Sequence, residues 1–110
     1  MESNLKTLDL LEFADFESFL NQKFRFIGPE DISFEVELVE LSQLKHVSKK
    51  FAQSGKRQPF SLIFRGPIDP VYEQRMYSVE HSQFEQLTLF IVPVGRDEDN
   101  EGVLYQAVFS

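Results

Sequence analysis

Cysteine is absent from this 110-residue chain. That excludes disulfides, thiol catalysis and Cys-ligated zinc or iron–sulfur sites. Histidine is scarce, with two in the chain, so a multi-histidine metal site lacks ligands. The five glycines are scattered, and none belongs to a phosphate-cradling loop. No Gly-x-Ser-x-Gly elbow is present. No apolar run approaches the ~18 residues of a membrane-spanning helix, so no membrane insertion is expected. The first residues, Met1-Glu2-Ser3-Asn4-Leu5-Lys6, lack the basic-then-apolar layout of a signal peptide. A cytoplasmic location is expected.

Apolar residues make up 42% of the chain, and phenylalanine dominates the aromatics, with 12 Phe against 3 Tyr. The length fits one domain, residues 1–110, with a single core. The formal net charge is −7, which argues against nucleic acid as a general partner. The charge is uneven. Residues 1–40 carry −7, residues 41–65 carry +6 with no acid, and residues 66–110 carry −6. Lys45, Lys49, Lys50, Lys56 and Arg57 crowd the middle segment. They form a solvated loop or a candidate contact site for an acidic partner.

The coarse pattern is one helix followed by strands. Phe13, Phe16, Phe19 and Leu20 recur at helical spacing, which predicts a helix over about 10–20. Thr7 or Asp9 suits its cap and Asn21 its left-handed end. The period then switches to two. Strands are expected at about 23–27, 32–41, 59–65, 76–81, 87–94 and 103–109, with Gly28-Pro29-Glu30-Asp31 as a hairpin turn. The run 87–94 is almost wholly apolar, as a strand buried on both faces would be, with Pro93 near its end or at a bulge. Six short strands with turn signals predict a mostly β fold. The expected form is an antiparallel six-stranded sandwich or partly open barrel, with the short N-terminal helix over one end.

Candidate chemistry is thin. Glu35 and Glu37 share a strand face, roughly 7 Å apart, a spacing that paired carboxylates use in glycoside hydrolysis. A small hydrolase based on them or on His81 is the last of the alternatives. Residues 97–102, Asp-Glu-Asp-Asn-Glu-Gly, resemble half of a calcium loop, but the twelfth position is Val108 where such a loop needs a bidentate Glu. Arg65 ends a buried-looking strand and needs a partner. Glu80 or Glu73 is the expected one, and Arg65–Glu80 is read as a structural ion pair. No catalytic residue, metal ligand or cofactor is assigned.

The run Pro59-Phe60-Ser61-Leu62-Ile63-Phe64-Arg65-Gly66-Pro67 carries a recognisable pattern. It continues through Tyr77-Ser78-Val79-Glu80-His81, Leu89-Phe90-Ile91-Val92-Pro93-Val94-Gly95 and Tyr105-Gln106-Ala107-Val108-Phe109. In these motifs the chain resembles a family of small bacterial proteins classed as a domain of unknown function. The resemblance covers nearly the whole chain, and its motifs are specific to the family but not to an activity. Members of that family are often encoded near tail-collar or tail-fibre-like proteins of phage origin. The resemblance therefore implies an accessory or structural part of such a phage-like particle. The basic loop lies outside the shared pattern.

Taken together, the expectation is a non-enzymatic interaction or assembly domain with a protein partner, tail-fibre-like by the resemblance, and with self-association as a further possibility. Its contacts would use sheet edges or exposed strand faces. The alternative is a binding module for an acidic ligand through Lys45, Lys49, Lys50, Lys56 and Arg57. That ligand would be nucleic acid, an anionic polysaccharide or an acidic protein.

Overall fold

The computed structural model describes residues 13–43 and 59–109. A short helix, α1 (Phe13–Glu17), precedes six strands. These are β1 (Lys23–Ile27), β2 (Ser33–Gln43), β3 (Phe60–Pro67), β4 (Arg75–His81), β5 (Phe84–Arg96) and β6 (Gly102–Phe109). All pairings are antiparallel, in the order β1-β2-β3-β6-β5-β4, and β4 returns to β1. This is the expected mostly β, six-stranded antiparallel fold with a short helix near the N-terminus, in its barrel form, and the barrel is closed. Closure gives each strand a neighbour on both sides, so the sheet has no edge strand.

Alternation decides what lies inside. Phe24 and Phe26 of β1, Phe34, Val36 and Leu38 of β2, and Phe60, Leu62 and Phe64 of β3 all point inward and are buried. Tyr77, Val79, Leu87, Leu89, Ile91, Val103, Tyr105, Ala107 and Phe109 complete the core. The rings pack edge-on, with Phe24–Phe64 at 5.2 Å and Phe26–Phe64 at 5.0 Å. Such contacts add to the burial energy of the rings, by about 0.5–1.5 kcal/mol per pair.

α1 closes one end. Phe16 is buried against Phe60 and Phe109. The α-helix ends at Glu17, and the chain leaves it through turn bonds, Phe19 N–H to Phe16 O and Gln22 N–H to Phe19 O. Asn21 takes φ 69° there, and its N–H donates to Leu38 O of β2. That bond ties the helix exit to the sheet.

One turn and one bulge have clear local causes. Gly28 N–H donates to Ile32 O, while Glu30 and Asp31 both adopt positive φ. Pro93 sits where the β5–β6 register shifts between Pro93 and Gly95. A bulge of this kind accommodates a residue that cannot donate to the ladder. Gly66 and Pro67 carry β3 past the expected end at about residue 65, paired with Val103 and Gly102 of β6.

The apolar run in β5 departs from expectation. It is not buried on both faces. Leu87, Leu89 and Ile91 are inside, but Phe90 and Val94 are exposed. The reason is topological. A closed six-stranded barrel has only one interior, and among the described residues no second layer covers Phe90 and Val94 of β5.

Candidate functional site

The outer wall of the barrel divides into two unlike halves. Across β4, β1 and β2, Glu80, Arg25 and Glu35 stand abreast, since Arg25 is the register partner of both acids. One step along, Lys23, Glu37 and Arg65 stand abreast across β1, β2 and β3. Charges of alternating sign therefore tile this half. Opposite charges at cross-strand positions contribute ~0.2–1 kcal/mol each and suit a solvated face. An open cleft of about 470 Å³ lies here, lined by Lys23, Arg25, Glu35, Glu80, His81 and Gln86 among others. Glu35 and Glu37 each face a base across the strand, so the two carboxylates sit in a neutralising lattice.

His81 stands at the end of this cleft, where β4 finishes. Its ring lies between Phe19, at 4.5 Å, and Phe24, at 4.6 Å. Nδ1 accepts the Gln83 N–H at 3.0 Å, and Nε2 lies 2.7 Å from Gln22 Oε1. A ring that accepts at Nδ1 carries its proton on Nε2 and donates it to Gln22. Burial lowers the His81 pKa. Both ring nitrogens are therefore engaged in holding the helix exit to the β4–β5 turn.

Arg65 does not pair with Glu80. Its Nε binds Asp97 Oδ2 at 2.7 Å, and Glu101 Oε2 lies 3.5 Å from Nη2. The barrel order explains this: β3 neighbours β2 and β6, whereas Glu80 is on β4, beside β1. Asp97 is also the organiser of its own turn. Its Oδ1 accepts the Glu101 N–H at 2.8 Å and the Gly102 N–H at 3.4 Å. The Glu101 amide bond first, then the Gly102 amide and Arg65, hold its carboxyl below the usual value against a desolvation effect. Both carboxylate oxygens are thus committed, and the 97–102 loop is a hydrogen-bonded hairpin tip. Among the described residues no group of three or more His, Asp or Glu is arranged to hold a metal. None of their helices is long and apolar enough to cross a membrane.

The other half of the wall is different. Between Arg75 and Glu80 at the ends of β4 and short of Arg96 on β5, its outward positions include Met76 and Ser78 on β4, Thr88, Phe90 and Val92 on β5, and Leu104, Gln106 and Val108 on β6. None of these side chains ionises. Met76 is the register partner of Phe90. Val92↔Gln106 is the end rung of the β5–β6 ladder, and Phe90 and Val108 each lie two residues beyond it on these neighbouring strands. Met76, Phe90 and Val108 are 52%, 51% and 53% exposed. They form an apolar stripe across three strands, ~10 Å long at the usual strand spacing. Val94, also exposed, lies further along β5. Sequence reasoning did not find this stripe. The signal was present in the apolar run 87–94, but it reads as burial until the strand's neighbours are known.

The five basic candidates, Lys45, Lys49, Lys50, Lys56 and Arg57, lie outside the described residues. No curated protein and no solved structure matches the chain. The model of one family, described as "Domain of unknown function (DUF6916)", matches residues 11–109, and the chain belongs to that family.

Proposed function

We propose that this chain is a protein-interaction or assembly domain whose contact surface is the outer wall of β4–β6. The observation that carries the reading is the uncharged stripe of Met76, Phe90 and Val108, each about half exposed. In a chain with 26% charged residues, eight outward positions without an ionisable side chain are a distinct surface. Contiguous exposed apolar patches with polar rims mark protein contact sites. Closure of the barrel supports contact through a face, because β-strand addition needs a free edge. A tail-fibre-like partner is the finer form of the proposal, and it rests on the sequence resemblance.

A photo-crosslinking residue at position 90, compared with one at position 25 on the charged half, tests the reading. In an extract of the native cells, a discrete adduct is expected at 90 and not at 25. Its partner, purified, should bind the unmodified chain and lose at least tenfold affinity for the Phe90→Ser variant. Equal labelling at both positions, or no adduct at 90, overturns it.

A further inference from the structure

The same face has a chemical counterpart within this chain's own sequence. Residues 66–110 hold β4, β5, β6 and their turns, and carry −6. Their two bases are engaged, Arg75 by Glu73 at 3.0 Å and Arg96 by Asn100 at 3.1 Å. Glu73, Glu98, Asp99 and Glu101 are exposed. The stripe is thus an apolar centre in an acidic half-barrel. Residues 41–65 carry +6, of which Arg65 is committed to Asp97. The other five bases fall within residues 45–57, with Val47 and Phe51 among them. That composition, apolar residues among lysines, is the complement of the stripe in both polarity and charge.

We propose that a second copy of this chain docks on the β4–β6 face and presents its 45–57 segment to it, an inference that rests on the interaction reading above. The contact is head-to-tail, two different surfaces meeting, as in a heterologous interface. Two-fold pairing of one β4–β6 face with another is disfavoured, because it sets two acidic rims together, net-negative even after Arg65 offsets one charge through Asp97. The apolar area is small. Three or four half-exposed side chains supply on the order of 300 Å², against ~800 Å² per partner in a standard interface. The charged contact must supply the remainder, so association is weak, reversible and sensitive to salt.

Sedimentation equilibrium of the full chain tests this. In ~0.1 M salt the average mass should rise with protein concentration. It should fall back toward the monomer in ~1 M salt, where the screening length drops from about 10 to about 3 Å. A Met76→Ser/Phe90→Ser variant and a Lys49→Glu/Lys50→Glu variant should each associate at least tenfold more weakly. An equimolar mixture of the two should regain association, because each supplies the surface the other lacks. Unchanged far-ultraviolet dichroism and melting temperature establish that the variants fold. A monomer at every concentration in low salt overturns the proposal. So does association that persists in either variant, or a mixture that stays monomeric. A monomer that still gives the adduct at position 90 refutes self-docking alone. Loss of that adduct as well refutes the interaction reading.

Discussion

His81 donates from Nε2 to Gln22 Oε1 across 2.7 Å, joining the end of β4 to the segment that leaves α1. The link spans 59 residues of sequence and depends on a neutral ring, because Nδ1 must accept the Gln83 N–H.

The pH dependence follows from that requirement. Burial sets the folded-state pKa of His81 below its unfolded value. Between those two values the unfolded chain binds more protons than the folded one, so stability rises with pH there. The His81 contribution is complete above the ordinary histidine value and is lost as pH falls through the lowered one. Urea midpoints measured between pH 4.5 and 7.5 should rise with pH, and this part of the slope should vanish in His81→Phe. At neutral pH that variant should lose about 1–2 kcal/mol, from two hydrogen bonds given up and a ring contact kept.

Asp97 gives a second, more acidic dependence of the same sign. Its lowered carboxyl pKa means that its contribution is present above the usual carboxylate range and is lost as pH falls through the lowered value. Asp97→Asn removes the charge facing Arg65 while leaving an oxygen for the Glu101 and Gly102 amides. Asp97→Ala removes both. Melting temperature at pH 7 should therefore fall in the order wild type, Asn, Ala; as acid neutralises Asp97, wild type should converge on Asn while Ala stays below both.

Gly102 is held by close approach. A Cβ there would lie 2.9 Å from Gly66 O and 2.9 Å from Arg65 Cγ and Nε. The backbone oxygen cannot swing away, so β3 and β6 must separate. Gly102→Ala should cost about 1–3 kcal/mol, read from the chemical-denaturation midpoint.

Tyr105 closes a polar gap beside the core. Its hydroxyl accepts the Tyr72 N–H at 2.9 Å, and Tyr72 stacks on Phe34 with centroids 3.8 Å apart. Tyr105→Phe strands that amide and should cost about 1–3 kcal/mol. Faster amide exchange at residue 72 is the accompanying signature.

Deletion of residues 105–110 should abolish cooperative folding. β6 is bonded to β3 on one side and β5 on the other, and its loss opens the barrel and removes Tyr105, Ala107 and Phe109 from the core. A truncated chain with a sharp thermal transition would contradict the closed arrangement.

Much of the fold was legible because its signals are local. The alternation of Phe24 and Phe26, or of Phe60, Leu62 and Phe64, marks an inward face whatever the neighbours are. Asn21 and Gly28-Pro29-Glu30-Asp31 mark reversals through backbone conformations that only a few residue types favour. Arg65 was legible as a charge needing a partner, but not as the partner of Asp97. That choice depends on β6 lying beside β3, which no window of sequence contains. The candidate site was hidden for a related reason. Residues 87–94 are apolar on both faces, and one face looks like the other until the layers around them are counted.

Strands, turns, the aromatic interior and the division of charge into −7, +6 and −6 segments are written locally along the chain. Those properties follow from side-chain chemistry and a two-residue period. Closure of the sheet, the meeting of Arg65 with Asp97, and the exposure of Met76, Phe90 and Val108 on neighbouring strands emerge only in the folded chain. These depend on pairings between distant strands, and a barrel with a single interior leaves the second apolar face of β5 nowhere to go but the surface.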